Sequence, residues 1–144
     1  YGQCIGGPFI LNLIKTQPNR IASAVLAQPI GRVGDELPPR TERFSNWAEG
    51  LSGHDDVTDE VFDTFYRNLY APGFAYCVDR DWVRDCQTPC LVLAGNDAAH
   101  PYAIAEELNQ LLPNSEFMAT WKSGADLDEA QRRVKALFSK HTPR

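Results

Sequence analysis

Tyr1-Gly2-Gln3-Cys4-Ile5-Gly6-Gly7 opens the chain, and its reading decides the fold. The heptapeptide has the form small-x-nucleophile-x-small, the pattern of a sharp strand-to-helix turn that lifts its central side chain clear of the backbone. Cys4 is that central residue, with Gly2 and Gly6 two positions to either side. Both are expected to be small because strand and helix backbones nearly touch around a strained centre. The Ile5 N–H, at the start of the following helix, then faces the place where an oxyanion would form. The same residues also read as a small, inert cysteine buried in a glycine-rich turn.

Outward from the turn, Ile5 to about Thr16 reads as a helix with Ile10, Leu11, Leu13 and Ile14 on a broad apolar face. Pro8 falls in its first turn, where no hydrogen bond is lost. The nearly unbroken apolar run Ile21 to Ala27 suits a strand buried on both faces of a parallel sheet. Pro89 to Gly95 and Glu116 to Trp121 read as two more strands, and helices are expected over about Pro101–Leu112 and Leu127–Lys140. The last carries Leu127, Ala130, Val134, Leu137 and Phe138 on one stripe.

Between Pro29 and Thr88 the character changes. A proline- and charge-rich tract, Gly34 to Arg40, leads into three expected helices. Thr41 to Leu51 presents Phe44, Trp47, Ala48 and Leu51 at helical spacing. A second helix, capped by Asp56, runs to about Tyr70 with Val61, Phe65 and Leu69 four residues apart. Phe74 to Asp85 is the third, with Val78, Trp82 and Val83 on one side. Its aromatic residues either line a pocket or simply pack the insertion onto the core. Strands alternating with helices imply a parallel sheet covered by helices, an α/β fold.

The chain has 144 residues, 43% hydrophobic and 23% charged, in keeping with one globular domain that buries a core. A net charge of −5 without a basic run argues against nucleic acid or anionic membrane as partner. No stretch approaches the roughly 20 apolar residues of a membrane span. Cys4, Cys77, Cys86 and Cys90 match no zinc or redox spacing, so thiols in a reducing cytoplasm are expected, with neither metal nor cofactor.

Taken together, these parts resemble the C-terminal half of an α/β-hydrolase-superfamily protein. Residues 1–28 and 89–144 correspond to the core of that half, and 29–88 to a helical cap inserted after the sixth strand. Thr88 to Asp97 resembles the family's seventh strand with the catalytic acid at its end, and Leu112 to Glu116 its turn into the eighth. The resemblance implies attack by Cys4 on an activated acyl group (ester, thioester or lactone) of a small molecule, the helix dipole favouring the anionic sulfur. It implies Asp97 as the acid that orients a histidine, against a plain reading as a solvated turn carboxylate.

Two departures follow. The family places its histidine after the eighth strand, whereas Lys122 to Asp126 contains none. His54 reads as an exposed turn residue and His141 as a cation at a helix end. His100 shares the Asp97 loop, and three roles stay open for it: substitute base, substrate donor, or cap of the next helix. The second departure is that only Tyr1 precedes the elbow. The family's N-terminal strands, with the loop giving a second oxyanion donor, are expected from another polypeptide. A cleaved precursor, a separate subunit or a sequence that is itself a piece each account for this. Three functions are therefore carried: acyl hydrolysis or transfer, a lyase or carbon–carbon cleavage on the same scaffold, and an inactive pseudo-hydrolase that binds ligand or protein.

Overall fold

The computed structural model describes residues 1–34, 42–51, 53–70 and 73–142. Most of the proline-rich tract (Asp35 to Arg40) and Thr41, where a helix was expected to begin, lie outside the described residues. The elements run β1 (Gly2–Gln3), α1 (Gly6–Thr16), a 3-10 turn (Pro18–Arg20), β2 (Ala24–Ala27), α2 (Glu42–Gly50), α3 (Asp59–Tyr70), α4 (Arg80–Asp85), β3 (Cys90–Leu93), α5 (Tyr102–Leu111), β4 (Ser115–Met118) and α6 (Gly124–His141). The strands form one sheet in the order β1-β2-β3-β4, every neighbouring pair parallel. In register, Gly2 faces Leu26, Leu26 faces Val92, and Val92 faces Phe117.

Strand alternation divides the core into two layers. Ala24 and Leu26 of β2 join Cys90 and Val92 of β3 against Leu11 and Ile14 of α1 and Ile104, Ala105 and Leu108 of α5. Val25, Ala27, Leu91 and Leu93 point the other way, onto Ala130 and Leu137 of α6. Both central strands are buried at every position, which is why their sequences read as continuous apolar runs. Phe74, Val78, Val83 and Cys86 also belong to the first layer, so the end of the 29–88 stretch packs directly against the sheet's companions.

Three expectations need correction. The predicted helix Phe74–Asp85 is helical only over Arg80–Asp85. Residues before it fold as a tight turn, in which Ala75 N–H donates to the Val78 carbonyl at 3.1 Å. Asp79 then caps α4 by accepting from the Trp82 N–H at 2.8 Å. Asp56 does not cap α3; Thr58 stands at that position, its hydroxyl oxygen accepting from Val61 N–H at 3.3 Å. The buried face of α3 is also one residue over, because Phe62 and Tyr66 are buried while Val61 and Phe65 are exposed.

Candidate active site

Cys4 has φ +57°, in the left-handed region that a side chain rarely enters. Its N–H donates to the Ala27 carbonyl at 2.9 Å, and its own carbonyl accepts from Gly7 N–H at 3.1 Å. The elbow is thus pinned to the end of β2 on one side and wound into α1 on the other. A Cβ on Gly2 would lie 2.3 Å from the Gly6 carbonyl oxygen and 2.6 Å from Ile10 Cδ1, so glycine is required there. At Gly6 a Cβ would meet nothing within 4 Å among the described residues. The expectation that both flanking residues must be small holds for the first only, since the helix offers its carbonyl, not its Cα, to the strand.

The Cys4 side chain is partly exposed and makes no hydrogen bond among the described residues. Cys86 and Cys90 are buried, and burial, with Cys86 adding, pushes the Cys90 thiol up to about 12. Burial also raises Cys77, which is partly exposed. Ile5 already has helical angles (φ −58°, ψ −22°), and its first-turn N–H has no intrahelical acceptor.

Asp97 and His100 lie in the loop after β3. One carboxylate oxygen of Asp97 accepts from Ala99 N–H at 3.0 Å and from His100 N–H at 2.9 Å, and lies 2.8 Å from His100 Nδ1. The His100 hydrogen bond holds the Asp97 carboxyl below its ordinary value. A Cβ on Gly95 would come within 2.5 Å of the His100 Cβ, so the chain behind the histidine is tightly closed. His100 does not cap α5, whose N-cap is Pro101 without a side-chain bond. Asp97 and His100 therefore form a dyad within one loop, and no hydrogen bond or ion pair joins either to Cys4.

The loop after β4, where the resemblance leads one to expect a histidine, carries Lys122. Lys122 Nζ donates to Asn96 Oδ1 at 3.0 Å, and Trp121 Nε1 donates to the Ala94 carbonyl at 2.7 Å. His54 is an exposed turn residue, and His141 ends α6.

Sequence reasoning missed Tyr76. This residue has φ +56°, is 6% exposed, and donates its phenol hydrogen to the Gly31 carbonyl at 3.2 Å. Its phenol is pushed up to about 12, chiefly by burial, then by Tyr70 and Tyr66; Arg32 opposes and a charge on Cys4 adds. No local pattern marks it, because the turn that aims it carries no glycine at that position. Among the described residues no group of three or more His, Cys, Asp or Glu is placed to hold a metal ion. No described helix is long and apolar enough to cross a membrane.

No protein-family model matches the chain, and no curated protein matches it in sequence. Solved structures do. Est816, described as an N-acyl homoserine lactone degrading enzyme, aligns with TM-score 0.59 at 17% identity over 94% of this chain and 65% of its own. The meta-cleavage product hydrolase of Pseudomonas fluorescens IP01 aligns at 0.58 and 17% identity, over 96% of this chain and 63% of its own. An esterase from Exiguobacterium antarcticum aligns at 0.55 and 16% identity, over 99% and 65%. The chain has the α/β-hydrolase fold, across that fold's C-terminal portion. It spans somewhat under two thirds of the length of these structures.

Proposed function

We propose that the chain carries the nucleophile of an α/β-hydrolase-fold enzyme that hydrolyses or transfers an acyl group from an ester, thioester or lactone. The observation that carries this is Cys4 held at φ +57° on the β1–α1 turn with its sulfur partly exposed. In the reaction the Cys4 sulfur bonds to the acyl carbon as its proton passes to a base. The carbonyl electrons move onto oxygen, which the Ile5 N–H receives, and then return as the leaving group departs with a proton. Water or another acceptor resolves the acyl-thioenzyme. His100, with Nδ1–H turned to Asp97, leaves Nε2 to serve as the base. Residues 29–88 cap the site, the N-terminal strands of the fold complete the sheet beside β1 from the same chain or from a second polypeptide, and free thiols suit a reducing, cytoplasmic setting.

The test is alkylation of native protein with iodoacetamide, read by peptide mass spectrometry. Cys4 should label faster than Cys77, Cys86 or Cys90, with stoichiometric loss of ester hydrolysis, and Cys4→Ala should abolish turnover. Equal labelling of all four removes the nucleophile from the reading. That no hydrogen bond or ion pair joins Cys4 to the Asp97–His100 dyad favours a second reading, a non-hydrolytic or ligand-binding member of the fold. In that case no acyl adduct forms with any activated ester.

A further inference from the structure

We propose that Trp121 and Lys122 are positioning residues for the Asp97–His100 dyad, bracing the loop after β3 from the loop after β4. Its bearing on catalysis rests on the reading of His100 as the base. Two residues leading into the dyad are tied to the end of the neighbouring strand. Ala94 N–H donates to the Met118 carbonyl at 2.9 Å, and the Ala94 carbonyl accepts from Trp121 Nε1 at 2.7 Å. Asn96 Oδ1 accepts from Lys122 Nζ at 3.0 Å. Gly95, held between them, packs against His100: a Cβ there would lie 2.3 Å from the His100 carbonyl oxygen and 2.5 Å from its Cβ. Asp97 comes next, and one of its carboxylate oxygens holds both the His100 N–H and the ring nitrogen. The brace thus reaches the dyad through bonded neighbours and direct contact.

A dyad confined to one loop lacks the rigidity of groups set on strands or helices, so its aim depends on what pins that loop. Indole N–H is a donor only, and the lysine ammonium has three donors and no acceptor, so both side chains suit the tying of oxygen atoms. Lys122 Nζ also lies 5.9 Å over the Trp121 ring, within reach of a cation–π attraction that joins the two ties. A cavity of about 180 Å³ opens where the loops meet, at Ala94, Asn96, Trp121 and Lys122. Packing does not fill that junction, and the hydrogen bonds carry the connection. Lys122, in the place where a histidine is expected, thereby holds the histidine of the other loop.

Lys122→Met, Asn96→Leu and the double variant test this in the native protein, with any associated polypeptide retained. The readouts are hydrolysis of p-nitrophenyl acetate and carbon-13 NMR of the Asp97 carboxyl. Lys122 and Asn96 are exposed, so their replacement leaves the core intact. Each single change should lower kcat about 10-fold with KM unchanged, part of the about 100-fold that a 1 Å misplacement costs. The double variant should be no slower than either single one, because both remove the same bond. Asn96→Asp still accepts from Lys122 and should keep the native rate. Trp121→Phe keeps a ring but loses the N–H, and should slow the reaction alike. The His100 hydrogen bond holds the Asp97 carboxyl below its ordinary value, so Asp97 should titrate at higher pH in the slowed variants. A role in fold stability alone would not move that titration. In an active wild type, unchanged kcat, multiplying effects in the double variant, or slowing without a shift of Asp97 each overturn the brace. With an inactive wild type, an Asp97 shift in the variants upholds the brace and overturns the hydrolytic reading, whereas an unmoved Asp97 overturns both.

Discussion

A single methyl group separates the two glycines that flank Cys4. Gly2→Ala drives a Cβ into the Gly6 carbonyl and the Ile10 side chain, and neither can withdraw without moving α1. We expect it to cost about 1–3 kcal/mol, the range of overpacking in a tight core. Gly6 opens α1, where added Cβ meets open space, so Gly6→Ala should stabilise by up to about 1 kcal/mol. Urea denaturation of both variants checks the pair, and equal effects would remove the close approach from the account of the elbow. Ionisation gives a second test at this scale. Tyr76 and Cys90 both titrate near 12 in the fold, against ordinary values of 10.0 and 9.0. Each holds its proton more tightly folded than unfolded, so their stabilising contribution is full below about pH 9 and is lost as pH rises toward 12. Melting temperature should be level between pH 7 and about 8.5 and fall steeply above 9. Tyr76→Phe should flatten the part of that fall lying above pH 10, where tyrosine ionisation begins.

Among the elements, α4 depends most on one side chain. It has six residues, too few to hold by propensity, and Asp79 satisfies the N–H of Trp82 in its first turn. Asp79→Ala should cost about 1 kcal/mol, while Asp79→Asn should be nearly neutral, as read from chemical denaturation. The strands and most helices were legible in the sequence for a simple reason. β2 and β3 are buried on both faces, so every residue is apolar, and α6 keeps its stripe because its other face is mostly charged and polar. The insertion was less legible. On α3 two four-residue rows lie side by side, Val61 with Phe65 and Phe62 with Tyr66, and hydropathy alone ranks the first higher. Burial decides otherwise: Tyr66 is buried, meeting Phe44 edge-on at 5.1 Å and Tyr70 in a tilted contact at 4.8 Å, whereas Phe65 stays exposed although its ring meets Phe44 and Trp47. The elbow was legible because its steric demand is local, two residues from Cys4. Tyr76 and the Lys122–Asn96 bond were not, since each joins loops distant in sequence and neither leaves a periodic trace.

On the scale of the whole molecule, the described sheet has β1 at its edge, beside Cys4. β1 is two residues long and, among the described residues, pairs with β2 alone, yet it leads into the Cys4 turn. Next to it Tyr1 is 57% exposed, and Phe9 and Leu13, one turn apart on α1, are 50% and 49% exposed. A short parallel edge flanked by bare apolar side chains is an aggregation hazard unless something covers it. The proposed occupant is the N-terminal part of the fold, carried either by the same polypeptide or by a second one. Native protein run through size-exclusion chromatography with mass spectrometry should therefore show a particle heavier than these 144 residues, as one longer chain or as two. In that particle the Gly2 and Gln3 amides should exchange hydrogen slowly. Phe9→Glu with Leu13→Glu should loosen that cover and lower solubility little, because it weakens the interface while charging the exposed face. A soluble, cooperatively melting monomer of this chain alone, with β1 amides protected, would show that the edge is stable bare. The elbow would then need no neighbour to hold its cysteine at the surface.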